Sequence, residues 1–163
     1  MHFRFGKVFH FFSVLLFIFS FLFIYASLSE QVAYAIDDQG TVLKQVSKES
    51  FFYTGIIFFV VLNVLIIFPG KMVENQSTKN IKRLFPVGDP ARDRMLIWIY
   101  SFAGIINVCL AIMLLFIKSL NHQNEISMSE FSFFFYLIPV FFVVWIIALF
   151  WILLEKFKSV QVK

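Results

Sequence analysis

Along the chain, apolar residues gather into four long runs, near Val8–Leu28, Phe51–Pro69, Met95–Ile117 and Phe131–Leu154, separated by polar stretches. Each run is long enough to cross a bilayer as a helix, which takes about 20 residues at about 1.5 Å of rise per residue. Between the first and second runs the period changes. Val32, Tyr34 and Ile36 alternate, Asp37-Asp38-Gln39-Gly40 supplies a turn, and Val42, Lys44 and Val46 alternate again. This pattern predicts a two-stranded hairpin, with Gly40 at the left-handed position of a bulged turn. Such a hairpin is marginal alone and has to pack on the helix ends, on the loop 119–130 or on a partner. The expected fold class is an all-α integral membrane protein. It is a single four-helix transmembrane domain over 1–163, built as two helical hairpins, with a β-hairpin-like outer loop (29–50) and a cytoplasmic loop (70–94).

Composition sharpens this. The chain is 60% hydrophobic and 15% charged, where soluble domains are about 45–50% apolar and about 25% charged. A soluble globular protein, a disordered chain, a coiled coil and a disulfide scaffold are excluded. The 14 basic and 10 acidic residues all lie outside the four runs or at their edges. Arg4, Lys7, Lys71, Lys79, Lys82, Arg83, Arg92, Arg94, Lys156, Lys158 and Lys163 share the side of the N-terminus, against Lys44, Lys48 and Lys118 on the other. The positive-inside rule then predicts both termini in the cytoplasm. With four acids inside and six outside, the inner face carries +7 and the outer face −3, the stated +4 overall. The basic excess therefore follows from topology, and nucleic acid is not an expected partner. The first run exceeds the length of a secretory h-region, so it is expected to be a span and not a cleaved signal. The expected location is a bacterial inner (plasma) membrane.

No Asp, Glu, Lys or Arg lies near the middle of any run, which argues against a proton-coupled mechanism carried by this chain alone. Two amides do lie deep, Asn63 and Asn107. Ala103, Asn107 and Ala111 recur every four residues with Gly104 beside them, a small face that lets helix backbones approach while an amide bonds across the contact. These five are the predicted helix-packing residues. A binding role for the amides toward a quinone or a lipid headgroup is the other reading. Counted from the inner ends of their runs, Asn63 and Asn107 sit at different depths, so a direct pair requires tilted helices or shifted boundaries.

Pro69-Gly70 is expected to end the second helix, and Asp89-Pro90 reads as an N-cap with proline at the first helical position. Between them, Ile81, Leu84 and Phe85 share a helical face beside Lys79, Lys82 and Arg83, the pattern of a short helix on a membrane surface. With Arg92 and Arg94 these bases are the candidate contacts for anionic lipid headgroups, or simply the ordinary positive-inside signal. The second and fourth runs share Phe-Phe-Tyr, four residues, Phe-Phe-Val-Val at an offset of 83 residues, beginning at Phe51 and Phe134. This is either a parallel duplication of hairpins or a consequence of composition, and the poor match of the first and third runs fits the latter. Pro139 should kink the fourth run. Trp98 and Trp151 belong at the inner interface, with Trp145 deeper. Phe17, Phe19, Phe21 and Phe23 point around the first helix, toward lipid or a hydrophobic partner.

Chemistry is sparse. Cys109 is alone, so no thiol pair exists. His2 and His10 fall at the inner edge and His122 in the outer loop, none with a second metal ligand at useful spacing. Glu49, Glu125, Glu130 and His122 on the outer face read more simply as solvated charge than as a cation site. No catalytic residue, metal ligand or cofactor is predicted. The sequence points to a non-catalytic membrane subunit, an accessory, assembly or scaffold component of a larger complex. Its expected partners are the bilayer, other integral membrane subunits and anionic lipid at the cytoplasmic face. The alternative is a small transporter or permeation unit acting as a homo-oligomer, with Asn63, Asn107, Ser101 and Cys109 available to line a path.

Overall fold

A computed structural model describes residues 3–37, 41–122 and 132–161. In chain order it contains α1 (Phe3–Ser27), β1 (Gln31–Ile36), β2 (Val42–Ser47), α2 (Lys48–Glu74), α3 (Lys79–Leu84), α4 (Pro90–Asn121) and α5 (Ser132–Gln161). Four of these helices are long and apolar enough to cross a membrane. The turn at Asp38–Gly40 and the positions of His2, Glu125, Glu130 and Lys163 lie outside the described residues.

α4 is the axis. Half of its most apolar window is buried, against 6% for the corresponding windows of α2 and α5. α1 runs parallel to it: Gly6 meets Ile97 and Tyr100, Phe9 covers Gly104, and Ser13 reaches Asn107. Glycine matters at two of these points. A Cβ on Gly6 would stand 3.2 Å from the Ile97 carbonyl oxygen, and one on Gly104 would stand 2.5 Å from the Phe9 ring. Beyond Ser13 the α1–α4 contact becomes aromatic and aliphatic. Phe17, Phe21, Ile24 and Leu28 are buried with Leu114, and Phe59 of α2 stacks on Phe17 at 4.1 Å between ring centres. Phe17 and Phe21 thus face inward, while Phe19 and Phe23 are exposed.

The second helix does not end at Pro69-Gly70. It continues to Glu74 and closes on Asn75, with Gln76 at φ 50° and Ser77 N–H donating to the Met72 carbonyl at 3.1 Å, a Schellman-type stop. Proline removes one helical hydrogen bond and glycine costs about 1 kcal/mol relative to alanine. Packing offsets both. Gly70 is buried against Ile99, where a Cβ would stand 2.9 Å from the isoleucine Cγ2, and Val73 packs on Leu96 and Tyr100. Proline and glycine are tolerated inside apolar helices when neighbours supply such contacts. α5 likewise runs through Pro139.

α3 is capped by the Thr78 hydroxyl, which accepts from Ile81 N–H at 3.3 Å. The three apolar residues expected on one face divide: Ile81 and Phe85 pack on the end of the bundle, whereas Leu84 is exposed. Leu84 is the last residue of α3 and Phe85 its C-cap, at φ −128° and ψ 67°, so the two neighbours do not share a helical face.

At the other end, β1 and β2 pair antiparallel, Val32 opposite Val46. The alternation of Val32, Tyr34 and Ile36 is broken: Val32 and Ala33 are both buried and Tyr34 is exposed. A register shift between Ala33 and Ala35 causes this. The hairpin packs on the helix ends. Asn121, the last residue of α4, accepts from Ala33 N–H and donates to the Ala33 carbonyl, both at 2.9 Å. Lys48 Nζ donates to the Leu28 carbonyl at 2.6 Å. α5 packs mainly on α4. A two-fold relating the helical hairpins would have to place it on α1 as α2 sits on α4.

Because the Asn121 amide bonds both backbone groups of Ala33, Asn121→Ala is expected to raise amide hydrogen exchange in 31–36 and 42–47 while α1 and α4 keep their protection. Unchanged exchange in the strands would show that the anchor lies elsewhere.

Candidate functional site: a polar seam among three helices

Polar residues on α1, α2 and α4 meet in one seam that runs inward from the end bearing the N-terminus. At its outer end, Glu74 closes α2. Its carboxylate accepts from Lys7 of α1, from Lys71 Nζ at 3.1 Å and from the Tyr100 hydroxyl at 2.8 Å. Its backbone carbonyl accepts from Arg92 Nη2 at 2.9 Å. Lys7 and Lys71 also lie over the Tyr100 ring, at 5.4 and 6.0 Å from its centre. Burying a carboxylate is costly unless it is paired and hydrogen-bonded, and Glu74 has donors from all three helices. It is the ionic knot of the termini end.

Deeper, the His10 ring lies 6.2 Å from that of Tyr100, and its Nε2 is 2.9 Å from Asn63 Oδ1. An amide oxygen only accepts, so Nε2 carries the proton. Asn63 Oδ1 also receives Asn107 Nδ2 at 3.2 Å, and Asn63 Nδ2 donates to Asn107 Oδ1 at 2.8 Å and to the Phe59 carbonyl at 2.9 Å. Both donors and both lone pairs of Asn63 are used. Asn107 is fully buried and spends its second N–H on Ser13 Oγ at 3.1 Å. Ser13 in turn donates to the His10 carbonyl at 2.7 Å. The seam is thus self-satisfied, and beyond Ser13 the interior is Phe17, Phe21 and Phe59.

Stagger explains how the two amides meet. Asn63 faces Asn107, Gly70 faces Ile99 and Val73 faces Leu96, one continuous antiparallel register. In that register Glu74 lies level with the neighbourhood of Leu96, and α4 reaches about 9 Å further out than α2. Treating the helix ends as level is what separates the amides in depth when only the sequence is read.

The remaining small-face residues, Ala103, Gly104 and Ala111, are buried on α4. The five bases at the cytoplasm-facing end in the sequence reading divide. Arg92 is turned into the fold, its side chain 11% exposed and bound to the end of α2. Arg94 donates to Glu155 of α5 at 2.8 Å. Lys79, Lys82 and Arg83 are exposed and make no ion pair among the described residues. Asp89 caps α4 by accepting from Ala91 N–H at 2.8 Å and pairs with Lys156 of α5. Trp98 donates its indole N–H to the Trp145 carbonyl at 2.8 Å and stacks on Phe102, so it braces α4 to α5. Sequence reading left His10, Ser13 and Tyr100 without partners. The available signal was the spacing of Lys7, His10 and Ser13, three polar residues at steps of three in an apolar run.

Two measurements test this arrangement. Removing one amide leaves the other's buried groups unpaired, whereas removing both does not. Asn63→Leu and Asn107→Leu are each expected to lower the thermal midpoint in detergent. The double variant should lose less than the sum, with a coupling of about 0.6–2 kcal/mol; strict additivity would dissolve the pair. The second concerns Asp89. Burial would raise its pKa, but the Lys156 ammonium and the Ala91 N–H hold the carboxyl below its ordinary 3.8. A depressed carboxylate stabilises the fold above its unfolded pKa, and that stability is lost as pH falls through the lower folded value. The advantage in thermal midpoint of the wild type over Lys156→Met should be constant down to about pH 5 and shrink below pH 3.8. An advantage that persists in acid would mean that the lysine stabilises the fold through something other than the Asp89 carboxylate. No protein-family model, curated protein or solved structure matches this chain.

Proposed function

We propose that the chain is a four-span integral membrane protein of a bacterial inner (plasma) membrane, with both termini cytoplasmic. In this reading it serves as a non-catalytic accessory, assembly or scaffold subunit of a larger membrane complex. The observation that carries the proposal is the one-sidedness of α2 and α5. Each lies on α4 along one stripe and turns the rest of a long apolar surface outward: Ile57, Val61, Val64 and Phe68 on α2, and Val143, Ile147, Phe150 and Leu154 on α5. Hydrocarbon tolerates such faces, and neighbouring helices use them for packing. Support for the orientation comes from the placement of the bases. Lys79, Lys82 and Arg83 stay exposed at the termini end, where a cytoplasmic surface would present them to anionic headgroups.

The permeation alternative draws on the polar seam, the feature of this fold that resembles part of a path. The seam extends from Glu74 to Ser13 and meets the Phe17–Phe59 stack, so a path through one copy would have to part that stack. Its amides already bond one another, which favours a structural role. Extraction of the full chain from its own membranes in mild detergent, followed by native mass spectrometry, tests the proposal. A reproducible, stoichiometric assembly with another integral membrane protein is the expected result. A single copy without a partner argues against the subunit role. A homo-oligomer whose flux is lost in the Asn63→Leu/Asn107→Leu variant, with assembly intact, favours permeation.

A further inference from the structure

The connection between α2 and α4 is fastened along one side and leaves a charged face open on the other. Ile81 and Phe85 seat α3 on Val73, Leu96 and Tyr100. Its ends are fixed as well: the Thr78 hydroxyl caps it, and Gln76 Nε2 donates to the Phe85 carbonyl at 3.2 Å. Lys79, Lys82 and Arg83 stand three and four residues apart, on the face turned away from Ile81 and Phe85, and all three are exposed. After α3, the Pro86 carbonyl accepts from Asp89 N–H at 3.2 Å and Gly88 sits at φ 86°, the value a type II turn requires of its third residue. Val87 stands at the corner of that turn, 75% exposed, and Leu84 is exposed too.

Charge and depth then narrow what this face can meet. Every acid at the termini end already faces a base within the fold. Glu74 pairs with Lys7 and Lys71, Asp89 with Lys156, Asp93 with Arg92 at 3.9 Å, and Glu155 with Arg94 at 2.8 Å. The three cations of α3 make no ion pair among the described residues, so their charge is uncompensated. Ile152 of α5 packs on Met95 and Ile99, which puts its exposed neighbour Trp151 level with the residues that seat α3. An exposed tryptophan at the end of a span marks the headgroup level. From Leu96, α4 runs on about 9 Å to its start at Pro90, so α3 flanks the bundle short of its end.

Unpaired cations and exposed apolar side chains at one depth are the two halves of an interfacial contact. We propose that α3 and the turn after it form a docking face for anionic phospholipid headgroups of the leaflet at the termini end. Lys79, Lys82 and Arg83 lie on the phosphates, and Leu84 and Val87 enter the boundary with the acyl chains. The contact belongs to this face and is not the diffuse charge of the whole end. An acidic partner protein would match the cations but would leave the apolar pair and its depth without a counterpart. The proposal rests on the membrane embedding put forward above and not on the subunit role.

Carbonate extraction of membranes containing the full chain comes first. Release into the soluble fraction would overturn the embedding itself, whereas retention leaves that reading standing whatever the lipid result. The purified protein is then placed in phosphatidylcholine nanodiscs with a minor share of phosphatidylglycerol, and the lipid it retains is read by native mass spectrometry. Phosphatidylglycerol should be enriched over its share, and high salt should reduce the enrichment. Lys82→Gln should lower it about fivefold, the effect of one base beside an anionic surface. The triple variant Lys79→Gln/Lys82→Gln/Arg83→Gln should remove it while keeping the wild-type thermal midpoint. Lys158→Gln, which takes an exposed base from α5, should change it little. A bimane at position 87, attached through Val87→Cys in a Cys109→Ala background, should be quenched by acyl-brominated phosphatidylglycerol, and less so in the triple variant. Equal retention of both lipids would overturn the proposal. So would a loss in Lys158→Gln as large as in Lys82→Gln, which would assign the preference to the whole charged end. A bimane quenched by aqueous iodide alone, or a photo-crosslinker at position 83 that captures a protein in place of lipid, would overturn it as well.

Discussion

Between three packed helices, the carboxamide of Asn107 is fully buried and that of Asn63 half-buried, and each finds its acceptors and donors within the fold. They find them in each other, in His10 and in Ser13. An amide left unpaired in apolar surroundings costs about 1–3 kcal/mol, so sliding α2 against α4 by one turn is opposed by several bonds at once. The rest of the inner half follows from that register. It sets Gly70 against Ile99 and Val73 against Leu96, and it brings the end of α2 beneath Tyr100. There Glu74 collects Lys7, Lys71 and Tyr100 side chains. The helix is carried through Pro69 because stopping there would forfeit all of these contacts.

Polar order confined to one half gives the molecule two unlike ends. Toward the termini, helices are tied by charge and hydrogen bond: Glu74 joins α1, α2 and α4, while Asp89 with Lys156 and Arg94 with Glu155 join α4 to α5. Toward the hairpin, stacked phenylalanines and aliphatic side chains hold α1, α2 and α4 together, with Asn121 clamping the strand on top. Directional bonds specify register and apolar burial supplies packing. Close approach at Gly6 and Gly104 seats α1 on α4 within the termini half, since a Cβ at either would crowd Ile97 and Tyr100 or the Phe9 ring.

Helix α5 is attached differently from the others. Its ties to α4 are a tryptophan brace, two ion pairs and a short apolar contact around Ile152. The cleft beside Trp145 is a consequence: the two helices are held at one end and by the brace, and the stripe between stays unfilled. The fold thus leaves apolar surface uncovered on α2 and α5 and an open cleft between α4 and α5.

The four apolar helices, the hairpin, the Asp89-Pro90 start and the small face of α4 were legible in the chain because each rests on local chemistry. Length and hydropathy mark a span, alternation marks a strand, and a capping side chain bonds within its own turn. Helix termination at Pro69 was misread for the same reason: intrinsic preference ends the helix there, and contacts from α4 override it. Stagger between α2 and α4, the inward turn of Arg92 and the meeting of His10 with Asn63 depend on how helices lie side by side. Spacing along one helix carries no information about its offset from the next. Sequence alone therefore determined which segments are helical and where charge is permitted. The tertiary structure decided which polar groups meet, because residues such as Ser13 and Asn107 come together only when separate helices pack and exclude water.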